Sequence, residues 1–204
     1  MIDHLFFKMK TFLNYRLKAV NAHGLHSPFL FDFYREVISA KKEFYFFKKL
    51  RLLIKSYNSV SESDILFLYR LVIFFKANSV CVLNSNFPVS IALSVASLNK
   101  MLFLSRQVNF TKEESTLLSN FGVSLSYSNG AELLYLDRID KFSLNIINDY
   151  RFVVIRGPYF NKTKNKIWQN LCELNSVRVS IDLYQFGILL LNKNQAKQHF
   201  VVKM

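Results

Sequence analysis

The sequence predicts an α/β fold: a mostly parallel, seven-stranded sheet that closes in an antiparallel hairpin and follows a helical N-terminal extension. Three observations predict it. Residues 1–60 carry helical periods and no β-type run. From residue 63 onward, short apolar β-type runs alternate with helical segments, the pattern of strands buried on both faces. The last two runs, 177–181 and 186–191, are separated by a short turn through Tyr184 and Gln185, too short for a crossover, so they pair antiparallel at the sheet edge.

The extension reads as three helical segments. Phe12, Tyr15, Leu17 and Val20 lie among Lys10, Arg16 and Lys18 in an amphipathic arrangement. A break over 21–26 follows. Ser27 and Pro28 then restart a helix, Ser27 as a cap and Pro28 at the first helical position, where its missing N–H costs nothing. Apolar residues at Leu30, Phe33, Tyr34, Val37 and Ile38 continue it, and a third, aromatic and basic segment runs over 44–57. The remainder, 61–204, forms the α/β domain. It opens with a helix at 64–75. Strands are expected at 80–83, 101–104, 123–127, 133–136, 152–155, 177–181 and 186–191, with helices at 89–97, 111–121, 141–148 and 165–174.

Composition narrows the function. The 204 residues are 51% hydrophobic and 20% charged, which excludes a disordered chain, and 5 Gly with 3 Pro exclude a collagen-like or linker-rich one. Two distant cysteines exclude a disulfide framework and a cysteine-built zinc site; Cys81 and Cys172 read as small buried hydrophobes. The abundance of Phe and Tyr is read as compositional bias, and the Phe-rich helices as core. The longest apolar run, 65–75, contains Arg70 and is too short to span a bilayer. The first ten residues lack the charge order and the apolar length of a signal peptide, so the expected location is the cytoplasm. Lys and Arg number 27 against 14 acids, a formal net charge of +13 concentrated toward the first 60 residues. No nucleic-acid module accompanies that charge, which favours solvated helix faces. The sharper alternative is an anionic partner on Lys48, Arg51 and Lys55, which share one helical face by their spacing.

Two segments carry a family resemblance: LKAVNAHGLHSPF at 17–29, and VSIDLYQFGI at 179–188 with HFVV at 199–202. With the five parallel units and the terminal hairpin, they resemble a bacterial family of class I S-adenosylmethionine-dependent methyltransferases, of the O-methyltransferase-like kind. The family has a Rossmann-type fold and a helical extension with an H-x-x-H-S-P-F segment. The resemblance implies S-adenosylmethionine as cofactor and a small-molecule substrate. It also implies an acid and a glycine-rich turn after the first strand, where this sequence has Val82, Asn84 and Pro88. An acid for the ribose hydroxyls is expected after the second strand, where Ser105 stands. The acid near the methyl-transfer centre is matched by Asp137, which Arg138 follows as an equally good ion-pair partner. The D-D-x-H segment after the fifth strand is replaced by Arg156, Gly157, Pro158 and Tyr159.

The expectation is therefore a degenerate member. Its cofactor would be held by backbone contacts near Asn84, Ser85 and Ser105, its catalytic acid would be Asp137, and no metal is expected, since one carboxylate does not make a cluster. Such a protein is weakly active or inactive, or else a non-catalytic pseudo-methyltransferase that binds a partner through its basic N-terminal helices. The short 137–152 interval would trim the helix beside the pocket. His23 and His26 read as capping or packing residues, and Asp182 with Gln185 as shaping the last turn.

Overall fold

The computed structural model describes residues 2–24, 26–57, 61–83, 86–104, 110–126, 130–140, 143–191 and 196–204. Along the chain, α1 (Ile2–Lys18) precedes α2 (Pro28–Phe33), which widens into a π-helical turn over Tyr34–Ile38, and then α3 (Tyr45–Ser56) and α4 (Glu62–Phe75). Alternation begins with β1 (Ser79–Leu83), α5 (Phe87–Ala96), β2 (Met101–Leu104), α6 (Lys112–Asn120) and β3 (Ser124–Ser126). It continues through β4 (Leu133–Leu136), α7 (Ser143–Ile146), β5 (Phe152–Arg156) and α8 (Lys162–Glu173) to β6 (Val179–Asp182), β7 (Phe186–Leu190) and β8 (Gln198–Val201). The fold is α/β with a mostly parallel sheet, as the alternation predicts. Among the described residues no helix is long and apolar enough to cross a membrane.

Local chemistry sets the helix starts. Asn86 accepts a hydrogen bond from the Val89 amide, and Pro88 sits in the first turn of α5, where its ring is tolerated. Thr111 and Glu114 form a reciprocal capping box on α6, and Asn161 caps α8 through the Lys164 amide. Pro28 opens α2 as expected, but Ser27 makes no side-chain cap; only its carbonyl is used, by the Phe31 amide.

The described chain falls into two compact units, one of His26–Leu133 and one joining Met1–Leu25 to Leu134–Met204. In the first, the strands run in the order β3-β2-β1, all parallel, with Val80 opposite Leu102 and Val82 opposite Leu104. Every residue of α5 is buried, and α4 buries Ile65, Leu68, Leu71 and Val72, which explains why these helices are apolar nearly all round. The aromatic helices are core: Phe47 packs edge-on against Tyr69, and Phe33 against Phe74.

In the second unit the order is β4-β5-β7-β6-β8. The predicted hairpin of β6 and β7 is present and antiparallel, and β7 is also antiparallel to β5. It does not form the edge, however. Gln198–Val201 adds a strand parallel to β6, so the described residues hold eight strands rather than seven. β8 escapes a hydropathy reading because Gln198 and His199 are exposed and only part of its length is apolar.

Helix α1 reverses the expected polarity. Leu17 is 86% and Leu5 71% exposed, and Phe6, Met9, Phe12 and Leu13 are exposed with them. The inward line is polar instead. His4 Nε2 lies 2.8 Å from the Phe160 carbonyl, the Tyr184 hydroxyl donates to the Lys8 carbonyl at 3.0 Å, and the buried Tyr15 donates its hydroxyl to Val202 O at 2.6 Å. Past the helix, Val20 pairs with Val202 as an isolated parallel bridge.

Trp168 of α8 lies flat over β7 at Gly187. A Cβ on Gly187 would stand 2.5 Å from the indole, so this strand position is closed to every side chain. Gly187→Ala is expected to cost about 1–3 kcal/mol through overpacking. Urea denaturation of the single variants and of the Gly187→Ala/Trp168→Phe pair checks it, the pair losing less than the sum of its members.

Candidate functional site

Of the sequence-predicted site residues, Asn84, Ser85 and Ser105 lie outside the described residues, as does the side chain of His23. Val82, where an acid was expected, is buried in β1, and the Asn86 side chain is engaged in capping α5. Asp137 follows β4 and is half-buried. Its Oδ1 accepts from the Tyr135 hydroxyl at 3.1 Å and faces Arg156 Nη1 at 3.4 Å. The ion-pair partner is thus Arg156 at the end of β5, not the neighbouring Arg138. The residue standing where the resemblance places an acid is a cation that neutralises Asp137. Among the described residues, the connection after Asp137 carries the single turn of α7 and a 3₁₀ turn over Ile147–Asp149, a short helix as the interval suggests. Among the described residues no three His, Cys, Asp or Glu side chains converge as a metal site.

The basic face of α3 is also partly neutralised. Phe47 and Leu50 turn inward and Lys48 and Lys55 outward, as the spacing predicts. Arg51 instead donates to both oxygens of Glu43 at 2.8 Å and to Glu62 at 2.6 Å. These bonds raise the guanidinium pKa and lower that of Glu43. Arg51 therefore does not stand beside the lysines as a free cation.

The most developed polar constellation is elsewhere, in the unit that joins the N-terminal helix to the C-terminal half. Asp182, the last residue of β6, is 1% exposed. One of its oxygens accepts from the Tyr159 hydroxyl and the other from the Tyr184 amide at 2.8 Å, with the Trp168 indole nearby. The amide bond holds Tyr184 in a left-handed conformation, φ 64°, so Asp182 does shape the turn as its position suggests. Tyr159 stacks on Tyr184 with ring centroids 4.9 Å apart. On the neighbouring β8, His199 Nδ1 lies 2.7 Å from Ser180 Oγ.

Asp182, Tyr159, Trp168 and His199 wall a cavity of about 480 Å³, together with Tyr15 and Lys18 of α1 and Asn165 and Cys172 of α8. Burial raises the Asp182 carboxyl pKa against the pull of its donors, and it raises Tyr159 further, with the Asp182 charge adding to the effect. Burial also pushes the Cys172 thiol up to about 12 and holds His199 below its usual value. The Tyr159 hydroxyl and the Cys172 thiol thus keep their protons near neutrality while the His199 imidazole stays neutral, and the hydroxyl and thiol are suited to binding rather than to attack. Cys172 is a half-buried wall residue rather than a core hydrophobe.

No protein-family profile matches the chain, and no curated protein does. Solved structures do. The O-methyltransferase TomG from Streptomyces achromogenes, involved in tomaymycin synthesis and crystallised in complex with SAM, matches with a TM-score of 0.53 at 13% identity, over 74% of this chain and 91% of that one. A methyltransferase from Geobacter sulfurreducens matches with a TM-score of 0.53 at 10% identity, over 76% and 93%. The chain has a class I methyltransferase-like fold. At such identities the likeness establishes the fold alone.

The Asp182 cavity was not singled out in the sequence. Its residues come from α1, the segment after β5, α8, β6 and β8, and no local motif joins them. The available signal was indirect: an acid ending an apolar strand, with a Tyr two residues on. With a folded pKa above the unfolded value, Asp182 stabilises the fold below the ordinary carboxylate range, and this contribution is lost as pH rises through the folded pKa. Thermal melts from about pH 4 to about pH 8 should show the difference between wild type and Asp182→Asn changing in that direction; a difference independent of pH would contradict it. Tyr159→Phe, which removes one donor from the buried carboxyl, should cost about 1–3 kcal/mol in the same melts.

Proposed function

We propose that this chain is a methyltransferase-fold protein with an eroded cofactor and catalytic site, weakly active or inactive in methyl transfer, whose role is to bind. The observation that carries this reading is the Arg156–Asp137 pair. A carboxylate whose Oδ1 is taken up by a tyrosine hydroxyl and a guanidinium is not free to meet a substrate proton. The donor set for S-adenosylmethionine points the same way. Val82, Asn84 and Ser105 supply none of the carboxylates that the resemblance requires at the first two strand ends, and the residues present do not fit the usual hold on the ribose. TomG was crystallised with SAM; the resemblance extends that cofactor to this chain only through backbone contacts near Asn84, Ser85 and Ser105.

The accompanying alternative is a pseudo-methyltransferase that meets an anionic partner in the cytoplasm through its basic helices. Lys48 and Lys55 support it by their exposure, while the Arg51 ion pairs reduce it to two cations on that face. Calorimetric titration with S-adenosylmethionine and S-adenosylhomocysteine tests the main reading. Loss of one or two charged hydrogen bonds, each about 1.5–3 kcal/mol, predicts binding roughly tenfold to ten-thousandfold weaker than a complete site gives. Micromolar or tighter binding by the wild type, with methyl transfer to any phenolic or catecholic acceptor, would overturn it. A salt series with heparin tests the alternative. Two contacts give a shallow slope that Lys48→Gln/Lys55→Gln abolishes, and binding that ignores this change removes the basic face from consideration.

A further inference from the structure

The cavity of the Asp182 unit contains a polar group that its own fold leaves unmet. Asn165 on α8 is 9% exposed, lines the cavity, and its Nδ2 is buried with no hydrogen-bond partner among the described residues. A buried N–H₂ without an acceptor is unfavourable, and native interiors nearly always supply one. The buried acceptor on the same wall, Asp182, has both of its oxygens engaged, one by the Tyr159 hydroxyl and one by the Tyr184 amide. Among the described residues none supplies the missing acceptor, and a molecule bound in the cavity would.

The other lining groups narrow its chemistry. Lys18 lies on the wall, exposed, with no ion-pair partner among the described residues. Lys197, the other cation on the wall, donates two of its three ammonium hydrogens to the carbonyls of Glu173 and Leu174 at the end of α8. Lys18 as a cation free of such bonds and Asn165 as an unmet neutral donor match the oxygens of a planar oxyanion. The apolar part of the wall is aromatic, from Tyr15, Tyr159 and Trp168, and about 480 Å³ lies within the roughly 300–1,000 Å³ of small-molecule sites. We propose that this cavity binds a small aromatic carboxylate, with Asn165 and Lys18 as donors to its oxygens and the aromatic wall against its ring. The inference does not rest on the loss of methyl transfer; the cavity could equally serve an active or an inactive protein.

The chain contains a single Trp, and it lines the cavity, so intrinsic fluorescence reports directly on occupancy. Titration of the whole chain with benzoate should change Trp168 emission saturably. The neutral isostere benzamide and the cation benzylamine should each bind about tenfold more weakly or not at all, as should benzoate to Lys18→Gln. Asn165→Asp, which puts a carboxylate in place of the donor, should abolish benzoate binding. Lys18 is exposed, so its variant keeps the test decisive even if Asn165→Asp does not fold. A wild type with no saturable response at high-millimolar benzoate would mean that the cavity takes water only. Equal binding of benzamide, preference for benzylamine, or undiminished binding by Lys18→Gln would equally overturn the proposal.

Discussion

The carboxyl group of Asp182 leaves water at the end of β6, and the surrounding unit is organised around its solvation. An isolated buried carboxylate is strongly unfavourable, and this one is tolerated because donors reach it from the segment after β5 and the β6–β7 turn, with the Trp168 indole of helix α8 close by. Each donor fixes its own neighbourhood. The Tyr184 amide bond sets the left-handed turn that reverses the chain into β7. The Trp168 indole lies over Gly187, the position on β7 where a bare backbone makes room for it. Tyr159 brings its ring onto Tyr184, whose hydroxyl in turn reaches back to α1. Helix, hairpin and N-terminal segment thus meet through one buried acid, and the cavity is the space their polar contacts leave between them.

Much of the fold was legible because its strands are buried on both faces. Runs such as Met101–Leu104 and Leu133–Leu136 match their predicted bounds, since a central parallel strand has no polar face to blur its limits. The same criterion fails where burial is partial. β8 presents exposed side chains along half its length and is recognisable only through its pairing with β6. In α1 the apolar residues were visible but their direction was not. Periodicity identifies a face; it does not say whether that face meets the core or solvent.

Site legibility followed a different rule. Asp137 was found because it ends a strand in a register that the resemblance supplies, but its partner lies 19 residues away on β5 and adjacency suggested the wrong arginine. Arg51 shows the same effect: helical spacing placed it correctly beside Lys48 and Lys55, while the two carboxylates that hold it come from residues 8 and 11 positions away. Charge neutralisation between elements is a tertiary fact. The Asp182 network is the extreme case, with Tyr15 and Val202 separated by 187 positions and joined by one hydrogen bond.

The inverted polarity of α1 has a thermodynamic consequence. A helix docked through its apolar side changes the hydration of much hydrocarbon when it detaches, so its opening carries a large heat-capacity change and a steep response to urea. Helix α1 is docked through hydrogen bonds to main-chain carbonyls and through the rings of Phe12 and Tyr15 against Tyr184, while Leu5, Met9, Leu13 and Leu17 are in water already. Its opening uncovers polar groups and aromatic rings but little aliphatic surface. Detachment therefore responds less steeply to denaturant than that of a helix docked through aliphatic side chains, a local equilibrium that amide exchange would resolve.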